Sequence, residues 1–176
     1  MSRAFVKEDD AGEPPLIPPR AALPPGTPNY MTPRGLALLK DELAELEAER
    51  TQAEANRDDE ANRTRQLTIL NGRRSALNER IASAKVVEPQ EQPPEEVRFG
   101  ATVTLRTLKG GKPGTERTFT IVGVDEASVA DGLIAFVAPI ARSVAGARLG
   151  QRVTLRLGRT QEEVEVTAIS YAQSIL

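Results

Sequence analysis

Three consecutive carboxylates, Asp58, Asp59 and Glu60, stand in a polar stretch, Arg57 to Gln66, that also carries Arg63 and Arg65. Oxygen donors at this density are the ligands that a hard divalent cation such as Mg2+ takes, and guanidinium groups beside them match phosphate oxygens. The same acids also suit a solvated turn, where they complement the positive end of a following helix. Two other site chemistries are closed. The chain has no His and no Cys, so imidazole- and thiolate-based nucleophile systems and the usual zinc sites lack their essential groups. The glycine-rich run Lys109-Gly110-Gly111-Lys112-Pro113-Gly114 fits neither common phosphate-binding glycine pattern and reads as a hairpin loop.

Two helical arms must position the acidic cluster. Thr32 is a good N-cap and Pro33 suits the first helical position, so a helix starts there. Leu36, Leu39, Leu43 and Leu46 follow at heptad spacing, and the stripe weakens toward Ala53. Beyond the cluster, Leu67, Leu70, Leu77, Ile81 and Ala84 restore that spacing, with Arg74 at a seam position. The two arms are each other's nearest apolar partners. Folded back, they make an antiparallel coiled-coil hairpin about 35–40 Å long, with residues 57–66 as its polar hinge and a loosely packed tip.

Four segments follow from the changes of pattern. Residues 1–30 are proline-rich and poor in large apolar groups, which predicts an extended or disordered tail, either a tether or a PxxP-type ligand through Pro15 and Pro18. Residues 31–87 form the hairpin, and residues 88–96, with three prolines and four acids, form a linker. From residue 97 to 176 the apolar period becomes two. Strands are expected around Val103 and Leu105, Phe119 and Ile121, Leu133 to Val137, Val153 to Leu157, and Val164 to Ala168, with a short helix from Pro139 to Gly146. The fold class is therefore α+β: a helical hairpin, then a small antiparallel sheet with one helix.

Composition bounds the partners. The net charge is −2 with 27% charged residues and only 3% aromatic. Residues 31–97 hold ten bases and fourteen acids, and residues 98–176 ten bases and seven acids. Neither half has the strongly basic footprint of an autonomous nucleic-acid binder. No apolar run reaches the roughly 20 residues of a membrane span. A cytoplasmic monomer with no membrane partner is expected.

The chain resembles the Gre family of bacterial transcript-cleavage factors (GreA/GreB). The matching residues are Tyr30-Met31-Thr32-Pro33-Arg34-Gly35 with Leu39, Glu42, Leu43 and Leu46; then Phe99-Gly100-Ala101-Thr102-Val103; then Thr120-Ile121-Val122-Gly123-Val124-Asp125-Glu126-Ala127. Pro139-Ile140-Ala141-Arg142, Gly146, Leu149-Gly150 and Ile169-Ser170-Tyr171 complete the match. The resemblance implies a finger that enters the secondary channel of RNA polymerase and an FKBP-like domain that docks at the channel rim through Pro139, Ile140, Ala141 and Arg142. It implies no cofactor of the protein's own and no independent enzyme activity. Instead, tip acids share a Mg2+ in the polymerase active centre, which activates water for hydrolysis of backtracked RNA. Asp58, Asp59 and Glu60 are the candidates for that role. Arg63, Arg65, Arg73 and Arg74 are candidates for contacts to RNA or channel phosphates, against the plainer reading of surface salt bridges. Contact with nascent RNA and DNA would be indirect, within the elongation complex.

The chain also departs from the family pattern. The family's tip reads Gly-Asp-x-Ser-Glu-Asn-Ala-x-Tyr, whereas here the first acid aligns with Glu60 and the second with Arg63. Each arm is shorter by about a heptad, or ~10 Å of reach. Val137 and Ala138 stand where the family's docking loop is commonly polar. Two mechanisms remain open on these residues, stimulated cleavage of backtracked RNA or channel occupancy without cleavage. A coiled-coil adaptor for another protein is the alternative of a different class.

Overall fold

The computed structural model describes residues 14–172. Of the tail expected over residues 1–30, residues 1–13 lie outside the described residues. The remainder is not a free tail. Residues 14–28 run along the base of the hairpin, and Asn29–Met31 form a strand, β1. The segment buries little apolar surface of its own, but Arg20 fastens it through ion pairs to two other parts of the chain.

Helix α1 spans Pro33–Ala55. It begins as its sequence dictates: the Thr32 hydroxyl oxygen accepts from the Gly35 N–H at 3.1 Å, and Pro33 occupies the first position, where a missing N–H costs nothing. Helix α2 spans Glu60–Ala82, capped by Asp59, whose carboxylate accepts from the Asn62 N–H at 2.9 Å. The hinge is therefore shorter than Arg57–Gln66. Only residues 56–59 turn, because the Asp59 cap and Glu60 at the first helical position both favour starting the helix there.

Leu39, Leu46, Ala53, Leu70 and Leu77 are buried along the facing seam, flanked by Leu36, Leu43, Leu67, Ile81 and Ala84. Each helix has 23 residues, giving about 35 Å of length. Packing loosens toward the turn, where a cleft of about 390 Å³ opens between Glu49, Gln52, Ala53, Asn56, Gln66, Ile69 and Leu70. Ala53 stands there where earlier turns of α1 carry leucine, so less side-chain volume fills the interhelical space.

Strand β2, Ala84–Val86, pairs in parallel with β1 at the hairpin base, Asn29 opposite Ala84 and Met31 opposite Val86. The stretch expected as a linker is anchored. Pro89 is buried in a short 3-10 turn, Pro89–Glu91, and Glu96 bridges to Arg148. Next come β3 (Ala101–Lys109), β4 (Glu116–Val122), β5 (Leu133–Ala135), helix α3 (Pro139–Val144), β6 (Arg152–Leu157) and β7 (Thr160–Tyr171).

The five strands lie in the order β5-β4-β3-β7-β6. All pairs are antiparallel except β4 with β5, which run parallel. The sheet is thus mixed rather than wholly antiparallel: the turn at 129–132 feeds β5 back alongside β4 in the same direction. Alternating residues of β3 and β7, with Phe119, Ile121, Leu155, Ala141 and Val144, form one apolar core under α3.

Candidate functional site

Three places could carry function: the joint between hairpin and sheet, the hairpin tip, and α3.

The joint is built by two segments far apart in sequence. Glu126 is 5% exposed, and its carboxylate accepts from the Thr32 N–H at 3.0 Å, the Gly123 N–H at 3.2 Å and the Thr32 hydroxyl. A buried acid is stable only with such donors, and the positive end of α1 adds to them. Gly35 is required by this arrangement, since a Cβ there would fall inside the Glu126 carboxyl group. Gly123 is required too, because a Cβ would stand 2.7 Å from the Tyr30 carbonyl oxygen. Tyr30 packs on Phe99 and Phe136, with ring centroids 5.9 and 5.5 Å apart, so an apolar seam lies beside the polar one.

A second polar bridge crosses the joint. Arg20 donates to both oxygens of Glu42 on α1, at 2.8 and 3.0 Å, and to Asp125 at 3.1 Å. Asp125, 8% exposed, also ion-pairs with Arg80 of α2 at 3.4 Å. Arg80 in turn donates to the Ala21 carbonyl at 2.5 Å. The Arg20 hydrogen bond holds the Glu42 carboxyl below the ordinary carboxylate range, and Glu42 raises Arg20 in return. At the end of β7, Tyr171 donates to the Glu96 carbonyl at 2.5 Å and accepts from the Arg98 N–H at 3.0 Å. Burial pushes its phenol up.

At the tip the three acids part ways. Asp59 is engaged as the α2 cap, and the Asp58 N–H donates to the Asn56 side chain at 3.0 Å. Glu60 has an 86% exposed side chain and lies 4.0 Å from Arg63. Arg63 also donates to the Asn56 carbonyl at 3.1 Å, tying the first turn of α2 to the end of α1. Among the described residues no group of three or more acids converges as a metal site. Asp59 is thus committed to the backbone, and a guanidinium stands beside Glu60. The other arginines are dispersed. Arg73 pairs with Glu49 at 3.9 Å, Arg65 is exposed, and Arg74 is half-buried on α2.

Helix α3 presents only part of its expected contact surface. Pro139 and Arg142 are exposed and Ile140 is half-buried. Ala141 is 2% exposed and belongs to the core, so it is withdrawn from any docking surface, because the helix turns that face onto the sheet.

The family model for transcription elongation factor GreA/GreB, C-terminal part, matches residues 92–171. The chain is 36% identical over 159 residues to transcription elongation factor GreB of Neisseria meningitidis serogroup A, covering 82% of this chain and 95% of that protein. It is 32% identical over 155 residues to transcription elongation factor GreA of Ralstonia nicotianae, covering 80% of this chain and 96% of that one. The chain belongs to the GreA/GreB family of transcription elongation factors. Among solved structures, the GreA factor homolog 1 (Gfh1) protein of Thermus thermophilus aligns over 82% of this chain and 99% of its own, at 20% identity and a TM-score of 0.38.

Within this GreA/GreB member, the joint brings together two of the motifs that mark the family in the sequence, Thr32 to Gly35 and Gly123 to Glu126. Sequence reasoning assigned no role to Glu126, Asp125, Arg20 or Arg80. The available signal was a lone pair of acids after the apolar run Thr120 to Val124, flanked by a glycine and facing nothing nearby in sequence.

Proposed function

We propose that this GreA/GreB member binds RNA polymerase, with the hairpin entering the secondary channel and the sheet domain seated at its rim through Pro139 and Arg142. There it modulates elongation by occupying the channel, without supplying acids to a second catalytic Mg2+. Family membership supports the polymerase reading. The observation that favours occupancy over cleavage is the tip: Asp59 caps α2 and Arg63 stands 4.0 Å from Glu60. A cation at that distance weakens the pull of the carboxylate on a metal ion and adds its own repulsion. No enzymatic activity of the protein's own is part of this reading.

The test uses a stalled elongation complex. The protein should bind core polymerase, alter the elongation rate and leave transcript cleavage at the level of polymerase alone. Cleavage above that level, lost in the Asp58→Ala/Glu60→Ala double variant, would establish the cleaving mechanism instead. Absence of binding to polymerase would favour the adaptor reading.

A further inference from the structure

The segment before β1 reaches beyond the joint and runs along the outside of α2. Gly72 lies in the interior of that helix, where glycine is mildly unfavourable, and Ile17 occupies the space its missing side chain leaves: a Cβ there would fall 2.2 Å from the Ile17 Cδ1. Ile17 is 37% exposed, so most of its surface is covered, whereas Leu16 at 87% has already left the helix. Further along, Pro18 to Ala21 share a cleft with Glu42, Arg73 and Ala76, and Arg20 bonds to both Glu42 oxygens. Ala21 to Leu23 then lie beside Glu79, Arg80 and Ser83, with Arg80 donating to the Ala21 carbonyl.

These contacts keep step along the two chains. From Ile17 to Leu23 an extended, proline-bearing segment advances about 19 Å, and from Gly72 to Ser83 a helix rises about 16 Å. The segment therefore lies lengthwise on α2, as a third chain over the base half of the hairpin. From Glu60 to Gly72 is about 18 Å, so close to half of each arm is bare between the tip and this strap. Over the other half the strap thickens the hairpin by about 5 Å, the spacing of an extended chain laid beside another.

We infer that this strap is a depth stop: only the bare tip half of the hairpin enters a channel fitted to two helices, and the strapped half stays outside with the sheet domain. The inference rests on the polymerase reading above and names what regulates insertion. Ile17 on Gly72 and Arg20 on Glu42 then set how far Asp58, Glu60 and Arg63 reach, rather than the full length of the arms. Neither Gly72 nor Glu42 belongs to the leucine seam, so the strap lifts without opening the two-helix core.

The experiment uses the full-length protein on a stalled elongation complex. Because the chain has no Cys, Glu60→Cys supplies a single thiol for a donor dye at the tip, and the acceptor dye sits on the 3′ end of the RNA. Gly72→Leu/Arg20→Gln fills the Ile17 notch and removes the Glu42 pair; it should bring the dyes closer by up to about 16 Å, the length of α2 that the strap covers. Circular dichroism verifies that the helices are kept, and faster hydrogen exchange over residues 72–83 verifies that the strap is released. Asp125→Asn weakens the joint but keeps the strap on Gly72 and Glu42, and should leave the distance at the wild-type value. Binding retained with equal distances in wild type and released variant overturns the stop alone, and an equal shift in Asp125→Asn overturns it by assigning the effect to the joint. Failure of the wild type to bind polymerase removes the polymerase reading and the stop with it.

Discussion

Replacing Arg20 with Ala should loosen the whole joint, because one side chain ties the segment before β1 to α1 and to the sheet domain. It makes three charge-assisted hydrogen bonds, two to Glu42 and one to Asp125, at 2.8 to 3.1 Å. Bonds of this kind in a buried setting contribute about 1.5–3 kcal/mol each. Two features reduce that here. Glu42 is 33% exposed and rehydrates when its partner leaves, and Asp125 keeps Arg80 at 3.4 Å. Surface screening lowers the Glu42 part further, so the expected loss is about 1–2 kcal/mol in total.

The pH dependence identifies the cause. Hydrogen bonding from Arg20 lowers the Glu42 carboxyl in the folded state, more than burial raises it. A depressed folded value means that its contribution is complete above the ordinary carboxylate range and is lost as pH falls through the folded value. Chemical unfolding of wild type and Arg20→Ala at neutral and strongly acidic pH should therefore show a gap that closes on acidification. Hydrogen exchange should show faster opening in β1 and the first turns of α1. A gap of the same size at both pH values, or no gap at all, would refute the electrostatic account of the joint.

Other substitutions probe the same architecture. Gly35→Ala should cost about 2–3 kcal/mol in thermal or urea unfolding, since the new methyl group displaces the buried Glu126 carboxylate from its donors. Leu77→Ala, at a seam position with no exposure, should cost about 2–5 kcal/mol and lower helical ellipticity. Tyr171→Phe removes the bonds to Glu96 and Arg98 and should cost about 1–2 kcal/mol at neutral pH. Burial raises the Tyr171 phenol, so its contribution is present below the ordinary tyrosine value and is lost as pH rises through the raised one; titrating stability into the alkaline range should show that loss in wild type and not in the variant.

What the sequence made legible and what it did not separate by range. The heptad stripes of α1 and α2 and the period-two strands repeat over a few residues, and local spacing alone specifies which face is buried. The Thr32 cap and Pro33 set one helix start with the same economy. The parallel pairing of β4 with β5 was hidden, because a three-residue strand carries no directional signal and only the turn at 129–132 decides it. The ordered segment before β1 was hidden for a different reason: its composition is that of a tail, and Arg20 is fixed only by acids 22 and 105 positions away.

The joint shows the same limit at its sharpest. Gly35 has no evident purpose within α1, where a glycine near a helix start is mildly unfavourable. Its purpose lies 91 residues downstream in Glu126, an acid that looks like surface until its three donors are in place. A glycine that weakens its own helix and an acid that is costly to bury are each unfavourable singly. Together they hold the start of α1 against the sheet domain, at the base of arms about 35 Å long by the helical rise of 23 residues. A small rotation at that joint moves the tip through a distance scaled by the whole length of the arms. The placement of Asp58, Glu60 and Arg63 is therefore decided at Glu126 as much as at the turn that carries them.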